Sequence, residues 1–233
     1  YFDLYPTDAI ELPDVPEGEE RPPNEQEWRE AVRGYYASVS YIDDKVGRLL
    51  DKLDELGITD ETAVVLFGDN GYMLGEKAKH FGKGRLWDGS LRVPMIFSIP
   101  GMAHAGESCE QPVELLDMYP TLNALFGLPE PASGMQGRNL MPLLDNPGAD
   151  WTGRAFTVRR PRDVPDQYSV RTSRYRYNED LEGRPLDLFD YEVDPTEHRN
   201  FIDDPAYNDV RRELSAAIRE KIEDSAMRRK ALA

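Results

Sequence analysis

One cysteine, Cys109, occurs in 233 residues, so neither an intrachain disulfide nor a thiolate metal cluster can form. No apolar run reaches the roughly 18 residues that a membrane-crossing helix needs. Positive charge is in deficit: 28 Lys and Arg face 44 Asp and Glu, a net charge of −16. That balance argues against nucleic acid and anionic membrane as partners, because the net field repels phosphate. A methionine start and a signal peptide are also lacking. The opening Tyr-Phe-Asp-Leu reads as the interior of a longer protein or as a processed product. What the chain does hold is material for a core, with 39% hydrophobic residues, 12 Tyr, 8 Phe and 3 Trp. Its length suits one large domain or one and a half ordinary ones.

Residues 1–24 are rich in proline and acid, the composition of an extended surface segment. Asn24 followed by Glu27 has the form of a capping box. From there Tyr35, Val39, Ile42, Val46, Leu49, Leu53 and Leu56 alternate steps of three and four, one face of a long amphipathic helix that Gly57 closes. Thr62–Phe67 and Val93–Pro100 read as buried strands, and the helix-then-strand order is that of βαβ units. Glu114–Gly127 has a helical pattern in which Pro120 begins a new segment. Residues 128–153 are loop-like. Alternating stretches at Phe156–Arg159, Gln167–Thr172, Arg174–Tyr177 and Leu186–Asp190 predict a small antiparallel sheet, and Pro205–Met227 a closing helix.

The stretch 66–94 carries the chemistry. Asp69 and Asn70 follow an apolar strand, at the end where open α/β sheets place ligands. Then come Lys77, Lys79, His80, Lys83 and Arg85, with no acid between Glu76 and Asp88. Asp-Asn-Gly is also an ordinary turn, and lysines are commonly a solvated face. Together in one loop, hard oxygen donors followed by cations point to a metal-assisted site for an anionic group.

Phe67-Gly-Asp-Asn-Gly71, Gly75-Glu76, Phe81-Gly-Lys-Gly84, Leu86-Trp-Asp-Gly89 and Arg92-Val-Pro94 resemble the carboxyl-terminal half of type I sulfatases, of the alkaline-phosphatase superfamily. The stretches 35–50, 117–122 and 188–197 match in the family's order. The helix motif and the opening residues look most like the iduronate-2-sulfatase-like branch. The resemblance implies an α/β fold: residues 1–150 as the C-terminal part of an alkaline-phosphatase-like sandwich, and 151–233 as a small subdomain with an antiparallel sheet and a closing helix. It implies Asp69 and Asn70 as calcium ligands, Lys83 as the holder of the substrate's sulfate, and His80 at the ester oxygen or the substrate. The implied substrate is a sulfated carbohydrate or other sulfate ester, and the implied location extracellular, periplasmic or lysosomal.

The departures are specific. The family makes a formylglycine nucleophile from the Cys of a Cys-x-Pro-x-Arg motif; none occurs here, and Cys109 has neither Pro nor Arg at the required places. The amino-terminal paired aspartates of the metal shell are also missing. Calcium takes about six to eight oxygens, of which Asp69 and Asn70 supply about two or three. The expectation is therefore half a site, completed by the missing N-terminal half of the same protein or by a second chain. Two alternatives stand beside it: a phosphodiester or phosphonate monoester hydrolase of the same superfamily, and a non-catalytic truncated subunit.

Overall fold

Asn24 starts the longest element. Its Oδ1 accepts the Gln26 and Glu27 backbone N–H groups, and its amide donates to the Glu27 carboxylate at 2.8 Å, a side-chain variant of the expected capping box. The computed structural model describes residues 1–129, 131 and 134–231, the side chains of 226–231 excepted. In chain order the elements are α1 (Glu25–Leu56), β1 (Val64–Phe67), β2 (Met73–Leu74), β3 (Phe81–Gly82), α2 (Asp88–Leu91), β4 (Met95–Ser98), α3 (Met118–Phe126), α4 (Met141–Asp145), β5 (Ala155–Arg159), β6 (Gln167–Arg171), β7 (Tyr175–Asp180), β8 (Pro185–Asp190) and α5 (Asn208–Ala231). Two compact units emerge, one of residues 1–83 and 92–101, the other of 84–91 and 102–233.

In the first unit, Gly57 ends α1 in the left-handed region, its N–H bonding back to Asp54 O. The proline-rich leader is more than surface. Ile10 and Val15 are buried with Trp28 and Val32 of α1, and Leu74 and Phe81 pack against that cluster. Burying side chains of this size is worth about 1.5–3 kcal/mol each. The leader thus straps the β2–β3 hairpin onto the start of α1. β1 departs from the buried strand of a βαβ unit: it pairs antiparallel with β4, Leu66 opposite Ile96, as a two-stranded sheet. Leu66 and Phe67 are 38% and 48% exposed. Their apolar character suits the middle of a larger sheet, and β4 is the one strand paired with β1 among the described residues.

The second unit holds the small antiparallel sheet and the closing helix expected from the sequence. β5, β6, β7 and β8 form an antiparallel meander in that order. Alternation sends Val170, Tyr177 and Leu188 into a cluster with Phe201, Leu214 and Ile218, the last two from α5. The opposite face presents Ser169, Arg176 and Asn178, all buried. Pro120 lies in the first turn of α3, where its missing N–H costs nothing, and Gly127 caps that helix in the left-handed region. The short α4 interrupts a stretch read as loop. Its Leu143 is buried, and Pro142 sits where a helix start tolerates it.

Candidate active site

Strand β1 runs out at Gly68, whose N–H donates to Pro94 O at 3.1 Å. Asp69 follows, exposed, and Asn70, half-buried. The Asn70 amide nitrogen donates to Gly71 O at 2.9 Å, which turns its Oδ1 outward from that bond. That oxygen accepts the Lys83 ammonium at 2.9 Å. The structure therefore brings together Asn70 and Lys83, thirteen residues apart in the chain, at the end of one strand. His80 stands three residues before Lys83, its Nε2 3.4 Å from the Lys83 carbonyl.

The β2–β3 hairpin delivers Lys83. Gly75 adopts φ +92°, and a Cβ there would lie 2.8 Å from Trp28 Nε1, 2.9 Å from Pro22 Cγ and 3.0 Å from Phe81 Cε2. Only glycine allows the hairpin to sit this close to the strap and helix. Trp28 Nε1 donates to Leu74 O, and Leu74 N–H donates to the Glu76 carboxylate. At the tip Ala78 and Lys79 both have positive φ, 48° and 45°, a conformation that costs non-glycine residues free energy. Neighbours hold it: Lys79 N–H donates to Glu20 O at 3.1 Å, and Gly75 N–H to His80 O at 3.0 Å. Lys79 pairs with the Glu20 carboxylate at 3.1 Å. Lys77, read from the sequence as part of a solvated face, is instead buried. Trp28, Glu20 and Pro22 escaped the sequence reading, because nothing local in the chain ties them to a hairpin about fifty residues on.

The second unit has its own polar centre around the segment 84–91. The buried Arg176 guanidinium donates to Glu197 Oε1 at 2.7 Å, Asp88 Oδ1 at 2.8 Å and the Tyr191 hydroxyl at 3.0 Å. Glu197 Oε2 accepts the Asp88 N–H at 2.7 Å, and Asn178 donates to Leu86 O at 3.0 Å. Burial, opposed by the Arg176 charge and reinforced by Glu197 and Asp88, pushes the Tyr191 hydroxyl well above its ordinary value. It stays protonated and donates to Glu197. This network fixes the segment that directly follows Lys83 in the chain.

The arrangement offers one ammonium, one carboxylate, one amide oxygen and one imidazole near a strand end. The donor types at Asp69 and Asn70 suit calcium, a hard cation that takes oxygen. Their number does not complete a shell, and among the described residues no three His, Cys, Asp or Glu side chains gather into a metal-holding group. The lysine fits an anion: an ammonium offsets charge on sulfuryl or phosphoryl oxygens.

The architecture matches solved structures of alkaline-phosphatase-like fold. One, a protein in complex with its substrate D-glucosamine-2-N,6-O-disulfate, superimposes with TM-score 0.74 and 26% identity over 85% of this chain and 42% of that one. A phosphonate monoester hydrolase of Agrobacterium radiobacter gives 0.73 and 25%, over 88% and 43%. The sulfatase family model matches residues 6–128, and the model for the C-terminal part of N-sulphoglucosamine sulphohydrolase matches 75–224. The chain belongs to the sulfatase family. The ulvan-active sulfatase of Formosa agariphila is 31% identical across 95% of this chain and 44% of its own length. Human iduronate 2-sulfatase is 30% identical across 64% and 38%. The chain thus spans less than half the length of these relatives.

Proposed function

We propose that this chain supplies the sulfate-holding lysine and part of the cation site of a sulfuric ester hydrolase acting on a sulfated sugar, with the nucleophile carried by polypeptide outside these residues. The observation that carries the reading is the 2.9 Å contact between Lys83 Nζ and Asn70 Oδ1, which sets an ammonium beside an amide oxygen just past a strand end. The sugar is inferred from the relatives, one ulvan-active and one solved with a sulfated glucosamine.

In this reading the Lys83 ammonium takes the sulfuryl oxygens and offsets the negative charge that grows on them in the transition state. Asp69 and Asn70 would hold a calcium ion, which supplies positive charge beside the same oxygens when bound. His80 would give a proton to the ester oxygen as the alcohol leaves. Replacing Asp69 with Ala in the assembled enzyme should lower calcium per active site, measured by elemental analysis; full retention would remove Asp69 from the ligand set.

A second reading is hydrolysis of a phosphonate monoester or phosphodiester, favoured by the likeness to the Agrobacterium enzyme. Parallel assays of the assembled enzyme on an aryl sulfate and an aryl phosphonate monoester separate the two. The first reading expects the larger kcat/KM on the sulfate; a larger value on the phosphonate would replace it.

A further inference from the structure

A cavity of about 680 Å³ lies wholly within the second unit, whereas Lys83 belongs to the first. Small-molecule sites typically measure about 300–1,000 Å³. Glycines fix two of its walls. A Cβ on Gly137 would overlap the Leu116 carbonyl, and one on Gly153 the Trp151 indole, so the backbone comes close at both. The Trp151 Nε1–H donates to Pro112 O at 3.3 Å, which ties the indole further. Two cations of the lining are held without hydrogen bonds to their acids. The Arg138 guanidinium stands 4.3 Å from the Trp151 ring centre. Its Nη2 is 3.8 Å from Asp117 and makes no hydrogen bond. Both Asp117 oxygens are already taken by backbone N–H groups, of Arg138 at 2.7 Å and Glu114 at 2.9 Å. The Lys221 ammonium lies 5.2 Å from the Phe156 ring centre and 3.7 Å from Glu114. Glu114 in turn accepts the Phe156 N–H at 3.1 Å. The third cation, Arg154, is bound to Glu213 at 2.7 Å.

We propose that this cavity binds a sugar carboxylate, a uronate residue, with Arg138 and Lys221 taking the carboxylate and the rest of the polar lining taking the hydroxyls. The chemistry of the lining selects that class. A guanidinium braced on an indole and 37% exposed presents a fork that matches a planar carboxylate. The three lining cations are balanced by the carboxylates of Glu114, Glu220 and Asp224, so no net field draws a multiply charged anion such as phosphate. Those carboxylates accept hydrogen bonds from hydroxyl groups, and the Gln111 and Gln136 amides, also in the lining, both donate and accept. An apolar carboxylic acid would leave these groups unpaired, at a cost in free energy. The site stands apart from the reading of Lys83 and does not depend on it.

Isothermal titration calorimetry of the chain with trigalacturonate, galacturonate, maltotriose and inorganic sulfate tests the assignment. Trigalacturonate should bind, with maltotriose and sulfate at least about tenfold weaker. Arg138→Gln and Lys221→Gln should each weaken trigalacturonate by at least about tenfold, the scale of one charged hydrogen bond. Lys83→Ala should leave that affinity unchanged. Circular dichroism checks that each variant is folded, and Lys221, 28% exposed on α5, serves if the Arg138 variant is not. A trimer tighter than the monomer identifies a polysaccharide chain as the source of the uronate, and equal affinities a free sugar acid. No binding of trigalacturonate, equal binding of maltotriose, or an affinity that survives both Gln variants overturns the proposal. So does loss of binding in Lys83→Ala, which would move the ligand to the first unit.

Discussion

At Gly75 the backbone and its surroundings agree on one residue type. A positive φ of 92° and Trp28 Nε1 only 2.8 Å from a would-be Cβ leave no room for alanine. Gly75→Ala should cost about 1–3 kcal/mol, the usual scale of such strain, read by denaturant unfolding of the first unit. An unchanged midpoint would mean that the hairpin does not seat on Trp28. The contact between Lys83 and Asn70 was foreshadowed in the chain, where oxygen donors and then cations follow one another in one loop. Trp28 was not, because a tryptophan in the first turns of an amphipathic helix reads as core whatever it covers. Nor was the burial of Lys77, since a lysine among lysines gives no sign of which one points inward.

Elements divide by how local their causes are. The meander β5–β8 was legible from alternation and turn residues, and α1 from its periodicity and caps. The pairing of β1 with β4 was not: an apolar run shows that a strand is meant for burial, not which neighbour lies beside it. The polar face of the meander was equally silent. There Arg176 binds Asp88 from α2 and Glu197 from the turn after β8. Removing one carboxylate from such a buried group is costly, so Glu197→Ala should destabilise the second unit by about 3–5 kcal/mol. The double variant Arg176→Met with Glu197→Leu should recover most of that loss. Denaturant unfolding of both proteins decides it, and a loss below about 1 kcal/mol in the single variant would show that the network holds little.

Across the whole molecule the acid excess makes low pH the informative condition. Burial raises the Asp190 carboxyl, but hydrogen bonds from Arg174, Tyr207 and the Glu192 N–H outweigh it and hold the group below its ordinary 3.8. Asp180 and Asp194 are lowered in the same way. A depressed carboxyl contributes stability that is fully present above the ordinary value and lost as pH falls through the folded one. Glu114 runs opposite: burial raises it above 4.5, so it weakens the fold as pH rises through that range. The second unit should therefore lose stability as pH falls below the ordinary 3.8, and Tyr207→Phe, which removes one bond to Asp190, should move the acid-unfolding midpoint upward. An unmoved midpoint in a circular dichroism titration would exclude Asp190 from acid unfolding.

The central claim is that Lys83 stands at the reacting anion. It is tested most directly by steady-state turnover of the assembled enzyme on a sulfate ester, with Lys83 intact and with Lys83→Ala. Loss of one electrostatic contact of this kind should lower kcat by about 10²–10³, with folding unchanged because the side chain is exposed. A kcat equal to that of the unaltered enzyme would contradict the account.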